Sequence, residues 1–230
     1  MLKNELKELL KKDDIAFTEE QIELSEKYMN YILKMNESIN LTAIKDPATF
    51  RELMTYDSLL VLREANLNDK KIIDVGTGAG YPGVMLSIFT NSAVTLLDST
   101  AKKINVIKDF KGINVTTIAE RVEEYGRMKE HREIFDIATA RAVSSLNVLV
   151  ELCLPLVKVG GYLIAYKSKN VEEEIKQAKN AINKLNGEVE FVSNDLLPNG
   201  EERHLVFIKK NKETNKKYPR EYSLISEKPL

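Results

Sequence analysis

From Thr18 to about Asn36, apolar residues recur at helical spacing: Ile22, Tyr28, Met29, Ile32 and Met35. The period predicts one amphipathic helix. A capping box marks its start, since the Thr18 hydroxyl can accept from the Gln21 amide while the Gln21 side chain reaches back, and Phe17 and Ile22 are spaced to staple that turn. Asp46-Pro47 signals a second helix, an N-cap followed by proline at the first helical position. Phe50, Leu53, Met54, Leu60 and Val61 then form an apolar stripe, interrupted by Asp57 where a leucine would fit. That carboxylate either caps a neighbouring loop or is aimed at a site. Between the helices, Ser38 to Ile44 is too polar at Asn40 and Thr42 for a core segment. Those two residues either hold a turn through side chain to backbone bonds or face a ligand.

The pattern changes at Lys71. Short β-branched runs now alternate with helical stretches, which predicts a parallel sheet covered on both faces. Strands are expected at Ile72 to Val75, Val94 to Leu97, Val115 to Ile118, Phe135 to Thr139 and Tyr162 to Tyr166. Glu188 to Val192 and His204 to Lys209, joined by a Pro198-Asn199-Gly200 turn, would close a seven-stranded sheet. Helices are expected at Val84 to Phe89, Lys102 to Phe110, Leu146 to Leu156 and Val171 to Leu185. A Gly160-Gly161 turn leads into the fifth strand.

Composition narrows the class only modestly. With 230 residues, 43% hydrophobic and 30% charged, the chain suits one large core or a core with a small appendage. A net charge of −1 carries no global signature of nucleic-acid binding, but residues 203–220 hold seven Lys or Arg against one acid, a local charge of +6. Tyr218 and Tyr222 lie in or just beyond that stretch, which suggests either a solvated tail or an arm for phosphates. The single cysteine, Cys153, rules out an internal disulfide framework and fits a reducing compartment. No apolar run approaches the ~18 residues of a membrane span, and no apolar leader opens the chain, so a cytoplasmic protein is expected. His131, His204 and Cys153 have no metal-like spacing, and no metal is expected.

The chemistry concentrates at Asp74-Val75-Gly76-Thr77-Gly78-Ala79-Gly80-Tyr81-Pro82-Gly83. A strand, a glycine-rich turn and a helix in that order bring backbone close to a ligand at the carboxyl edge of a parallel sheet. No Gly-Lys-Ser or Gly-Lys-Thr follows, so a triphosphate loop is excluded. Gly78 to Gly83 matches the dinucleotide fingerprint by letter, with Asp98 about 20 residues on. Two details weigh against a dinucleotide. The match starts two residues late, and Asp74 would repel a pyrophosphate. S-adenosylmethionine carries an ammonium and a sulfonium instead, which a carboxylate attracts. On that reading the amides of Gly76, Gly78 and Gly80 approach the methionine end, Asp74 organises the ammonium, and Asp98 takes the ribose hydroxyls.

Beyond the turn, the chain resembles the bacterial small-subunit ribosomal RNA guanine-N7 methyltransferases, the family also called glucose-inhibited division protein B. The resemblance rests on Asn40-Leu41-Thr42-Ala43-Ile44, Asp57-Ser58-Leu59, the glycine turn, Leu97-Asp98-Ser99, Arg121-Val122-Glu123, Arg141-Ala142, Glu202-Arg203-His204-Leu205 and Tyr218-Pro219-Arg220. It implies a class I S-adenosylmethionine-dependent methyltransferase (Rossmann-like) fold, with a mostly parallel seven-stranded sheet and an N-terminal helical extension. The expected division is a helical cap over 1–68, a cofactor-binding core over 69–210 and a basic tail over 211–230. The resemblance further implies cofactor contacts at Gly76, Tyr81, Val122, Glu123 and Arg141, with Ser99 beside Asp98, and S-adenosylhomocysteine as product. Arg141 and Lys167 are expected to orient the substrate and Asn40 and Thr42 to line its pocket. The implied substrate is one guanine in the 530 loop of 16S rRNA, free or in the small ribosomal subunit, met by a monomer. Met54 stands where the family usually has histidine, Ser168 where glycine is usual and Lys103 where arginine is common. A nicotinamide-dependent oxidoreductase and a non-catalytic RNA-binding factor are the alternatives.

Overall fold

The computed structural model describes all 230 residues. Eight strands form: β1 Lys71–Val75, β2 Ala93–Leu97, β3 Val115–Ile118, β4 Phe135–Arg141, β5 Val157–Lys167, β6 Gly187–Val192, β7 Asp195–Leu196 and β8 Glu202–Lys210. Seven run across one sheet in the order β3-β2-β1-β4-β5-β8-β6, and the two-residue β7 pairs with β8 off that path. Pairing is parallel from β3 through β5, and β8 runs antiparallel to both β5 and β6. The expected mostly parallel seven-stranded sheet is therefore present. Strand order reverses between β1 and β4, which is where such sheets bind ligands.

The period-two alternation assigns the faces. Ile72, Ile137, Ile164 and Phe207 pack on one side, and Ile73, Ala138, Leu163 and Val206 on the other. The first side is covered by α1 Lys3–Lys12, α2 Glu19–Asn36, a further helical stretch, α6 Gly83–Phe89 and α7 Ala101–Asp109. That further stretch is α3 Pro47–Phe50, a π-helical turn Arg51–Tyr56, α4 Asp57–Leu59 and α5 Val61–Glu64. The second side is covered by α8 Val122–Tyr125, α9 Leu146–Cys153, α10 Val171–Lys184 and α11 Tyr222–Glu227, with Cys153 fully buried among them.

The predicted helix starts form as written. Thr18 accepts from the Gln21 N–H at 3.2 Å while the Thr18 N–H donates to the Gln21 side chain at 2.8 Å, and Asp46 accepts from the Thr49 N–H at 2.8 Å. The N-terminal helices are tied to the sheet side by three donors: the Gln21 amide to the Ile88 carbonyl, the Tyr28 hydroxyl to the Ala79 carbonyl, and the Tyr31 hydroxyl to the Val106 carbonyl. Tyr28 reaches the glycine turn itself. Gly160 and Gly161, expected as a turn before a strand, instead lie within β5. There the register jumps from Phe135 opposite Val157 to Ile137 opposite Tyr162, so the extra residues bulge without ending the strand.

Candidate active site

The glycine turn is folded around one carboxylate. Asp74 is 1% exposed and accepts from the Thr77 hydroxyl at 2.6 Å, the Thr139 hydroxyl at 2.8 Å and the Gly83 N–H at 3.0 Å. Burial pushes its carboxyl above the ordinary range, against the pull of those three donors. Gly76, Gly78 and Gly80 all have positive φ, at 68°, 57° and 88°, a conformation that a side chain would strain. A Cβ on Gly83 would stand 2.8 Å from the Asp74 Cβ, so only glycine lets the first turn of α6 close on the acid. Asp98, at the end of β2, accepts from the Gly78 N–H at 3.0 Å and the Thr100 N–H at 2.8 Å, which leaves lone pairs on both oxygens.

A cavity of about 330 Å³ opens over the carboxyl ends of β1, β2 and β4. Its walls include Gly76, Asp98, Ser99, Val122, Glu123 and Tyr222, bringing together five of the residues expected at the cofactor. Others lie elsewhere. Asp74, expected to organise the ammonium directly or through water, lines neither cavity: it is turned inward beneath the loop, where its bonds shape the turn. Gly78 is held on Asp98, and Gly80 packs close to Val84. Tyr81 is a core side chain, its ring 5.6 Å from that of Tyr28 and 5.4 Å from that of Phe50. Its buried hydroxyl has no hydrogen-bond partner.

Arg141 belongs to a second cavity of about 260 Å³, lined also by Met54, Asp57, Lys167, Glu174 and Arg203. Its Nη1 donates to Asp57 at 2.7 Å and to the Leu53 carbonyl at 3.2 Å, while Nη2 lies 3.4 Å from the Met54 sulfur. The other Asp57 oxygen accepts from Arg203 Nε at 2.6 Å. Asp57 is fully buried in that wall, with each oxygen taken by an arginine, so it caps no loop. It is the shared counter-ion of two arginines. Lys167 Nζ donates to the Ser144 carbonyl at 2.8 Å and pairs with Glu174 at 2.7 Å. The two cavities meet at Ala142, which lines both and holds a left-handed φ of 55°. Such backbone in a residue with a Cβ is uncommon and clusters at functional sites.

Asn40 and Thr42 line neither cavity. Their loop is held by Asn36, whose side-chain oxygen accepts from the Leu41 and Thr42 N–H groups, and the Thr42 hydroxyl accepts from the Ile44 N–H. The turn-holding alternative describes Thr42, and Asn40 is exposed. The basic stretch is also less free than its count suggests. Arg203 pairs with Asp57, Lys209 with Glu190, Lys210 with Glu133 and Arg220 with Glu151. Of seven cations, Lys212, Lys216 and Lys217 remain solvent-facing without an acid, so no continuous phosphate arm forms. Glu174 carries no signal in the sequence, and neither the basic stretch nor the family blocks place Arg203, Ala142 or Tyr222 on a cavity wall. Arg203 stands in the sequence as one charge of the basic stretch and one letter of the Glu202-Arg203-His204-Leu205 block, and neither points to its partner 146 positions away.

The strand order, the glycine turn after β1 and the acid closing β2 define a class I S-adenosylmethionine-dependent methyltransferase fold. A solved structure from Listeria monocytogenes, assigned to the S-adenosylmethionine-dependent methyltransferases, shares it, with a TM-score of 0.51 at 9% identity over 68% of this chain and 99% of its own. The family model described as rRNA small subunit methyltransferase G matches residues 21–206. Relatives bearing the name Ribosomal RNA small subunit methyltransferase G are similar over nearly their whole length. The one from Desulforamulus reducens is 39% identical over 232 residues (98% of this chain, 97% of the relative), and that from Alkaliphilus oremlandii 41% over 237 residues (98% and 99%). The chain belongs to the rRNA small subunit methyltransferase G family, and S-adenosylmethionine is its cofactor.

Proposed function

We propose that the protein transfers the methyl group of S-adenosylmethionine to N7 of one guanine in the 530 loop of 16S rRNA. The observation that carries this reading is the pair of cavities meeting at Ala142, one walled by backbone and carboxylates, the other by Arg141, Lys167 and Arg203. The first suits the methyl donor, with Asp98 on the ribose. The second suits an electron-rich base on a phosphate backbone.

Guanine N7 holds an in-plane lone pair, so its attack on the sulfonium methyl displaces S-adenosylhomocysteine without any proton being removed. Neither a general base nor a metal is required, and the work is positioning. Nitrogen, methyl carbon and sulfur must be held in line, with the reacting atoms about 3–3.5 Å apart. Arg141 is fixed by Asp57 and the Leu53 carbonyl, so a guanidinium edge is pre-oriented before the base arrives. It binds O6 or a phosphate in the reactive complex, since a bond to N7 would consume the attacking lone pair. Lys167, anchored on the Ser144 carbonyl and Glu174, supports a phosphate or the base from the other side. Asn40, on an exposed loop, meets the RNA outside the cavity. The protein acts as a monomer in the cytoplasm.

The test is radiolabelled methyl transfer to free 16S rRNA and to small subunits from a strain lacking the enzyme, with the label mapped to the base. Label on a single guanine N7 is expected; label at another atom or loop overturns the reading. In the Arg141→Ala protein Arg203 still neutralises Asp57, so cofactor affinity should stay within a few fold while methyl transfer is lost. Undiminished turnover removes Arg141 from the mechanism.

A further inference from the structure

The C-terminal segment lies outside the sheet but is built onto it with care. Arg220 reaches Glu151 on α9 with both Nε and Nη2 at 2.7 Å, and its own N–H reaches the same carboxylate at 3.0 Å. Arg132 donates to the Tyr218 and Thr214 carbonyls, and Arg127 to the Pro219 carbonyl. Ile225 of α11 is fully buried in the second core. Tyr222 stands three residues earlier on the same face of that short helix, so seating Ile225 carries the tyrosine to the cavity wall. The Arg121 guanidinium lies 4.6 Å from the centre of the Tyr222 ring, and Arg121 is itself paired with Glu123. Six hydrogen bonds and the buried Ile225 thus hold in place a tyrosine that is still 39% exposed.

Its place along the cavity gives it a role. Gly76 at the end of β1, Asp98 at the end of β2 and Val122 after β3 follow the strand order from the centre of the sheet towards one edge. With the methionine end on the glycine turn and the ribose on Asp98, the adenine falls beside Val122, Glu123 and Tyr222. We propose that Tyr222 is a cofactor-binding residue supplied by the C-terminal helix, which covers the adenine of S-adenosylmethionine and is held in place by Arg121. This inference rests on the cofactor reading of the larger cavity.

The chain contains no tryptophan, which makes the test direct. In the Tyr222→Trp protein the only indole of the molecule would stand at the cavity. Titration with S-adenosylhomocysteine should quench its emission saturably, at the concentrations at which calorimetry shows binding. Tyr222→Ala should raise the dissociation constant on the order of tenfold, the usual scale for losing one base–aromatic stack, and Tyr222→Phe should leave it within about twofold. Thermal unfolding of the variants should match the parent, because the ring is partly exposed and Ile225 and Arg220 still dock the segment. Calorimetric binding with unchanged indole emission, or Tyr222→Ala binding as tightly as the parent, overturns the role of Tyr222 and leaves the cofactor reading intact. Failure of the unsubstituted protein to bind S-adenosylhomocysteine overturns that reading and this inference with it.

Discussion

Asp74 and Asp57 are both buried carboxylates, one beneath the glycine turn and one in the wall of the second cavity, yet they are satisfied by opposite means. Asp74 is satisfied by neutral donors from within one short stretch and the adjacent β4: two hydroxyls and one N–H. Asp57 is satisfied by two guanidinium groups, from Arg141 and from Arg203 at the far end of the chain. The first arrangement shapes a loop and leaves the carboxyl reluctant to ionise. The second fixes two cations and couples α4, β4 and β8. A buried carboxylate is therefore not one kind of feature: its partners decide whether it organises backbone or charge.

The sharpest break in that comparison is Asp57→Ala, which strands two largely buried arginines. Losing one side of a buried ion pair costs about 3–5 kcal/mol, so urea unfolding should show a loss of that size. A loss below about 1 kcal/mol would mean that the arginines find other partners and that Asp57 couples nothing. Gly83→Ala attacks the other carboxylate, since its Cβ meets Asp74 at 2.8–2.9 Å and the Leu96 side chain closer still. Overpacking of this kind costs roughly 1–3 kcal/mol, and cofactor affinity should fall with it as the turn opens. Tight cofactor binding by Gly83→Ala would show that the Asp74 bonds do not set the loop. The smallest effect is in pH. Because burial raises the Asp74 carboxyl in the native state, the native protein holds that proton more tightly than the unfolded chain. The associated stability is complete below the unfolded value of about 3.9 and is lost as pH rises through the native value. Unfolding of parent and Asp74→Asn between about pH 3 and 7 should therefore show the parent's relative stability declining with pH; a constant difference would contradict the raised carboxyl.

Local signals were legible and distant ones were not. Thr18, Gln21 and Asp46 announce helix starts through bonds that span three residues, and those bonds form. The glycine turn announces a ligand loop because its conformational demands are local, and three positive φ values answer them. Nothing local marks Asp57 as a counter-ion, since its partners lie 84 and 146 positions away. The same distance hides the neutralisation of the basic stretch, whose charges look free when counted in order. Asp74 faces its own loop, so the strand order and the family relationship carry the class where a single carboxylate in the sequence does not. Gly160 and Gly161 misled for a different reason, because a bulge and a turn ask the same freedom of a residue.

The π-helical turn at Arg51–Tyr56 has a consequence for how the two cavities are kept in phase. A π turn is an α-helix carrying one residue more than its hydrogen bonds need. Each residue of an α-helix advances the chain by about 100° around the axis. Before the turn, Phe50 must face the rings that back the glycine loop; after it, Asp57 must face Arg141 and Arg203. Seven residues of regular helix would bring positions 50 and 57 back to nearly the same side. The surplus residue is a clutch between two gears, letting one rod meet the Tyr81 ring with Phe50 and the two arginines with Asp57. Shortening 51–56 by a single residue would restore an unbroken helix and turn its second half out of mesh.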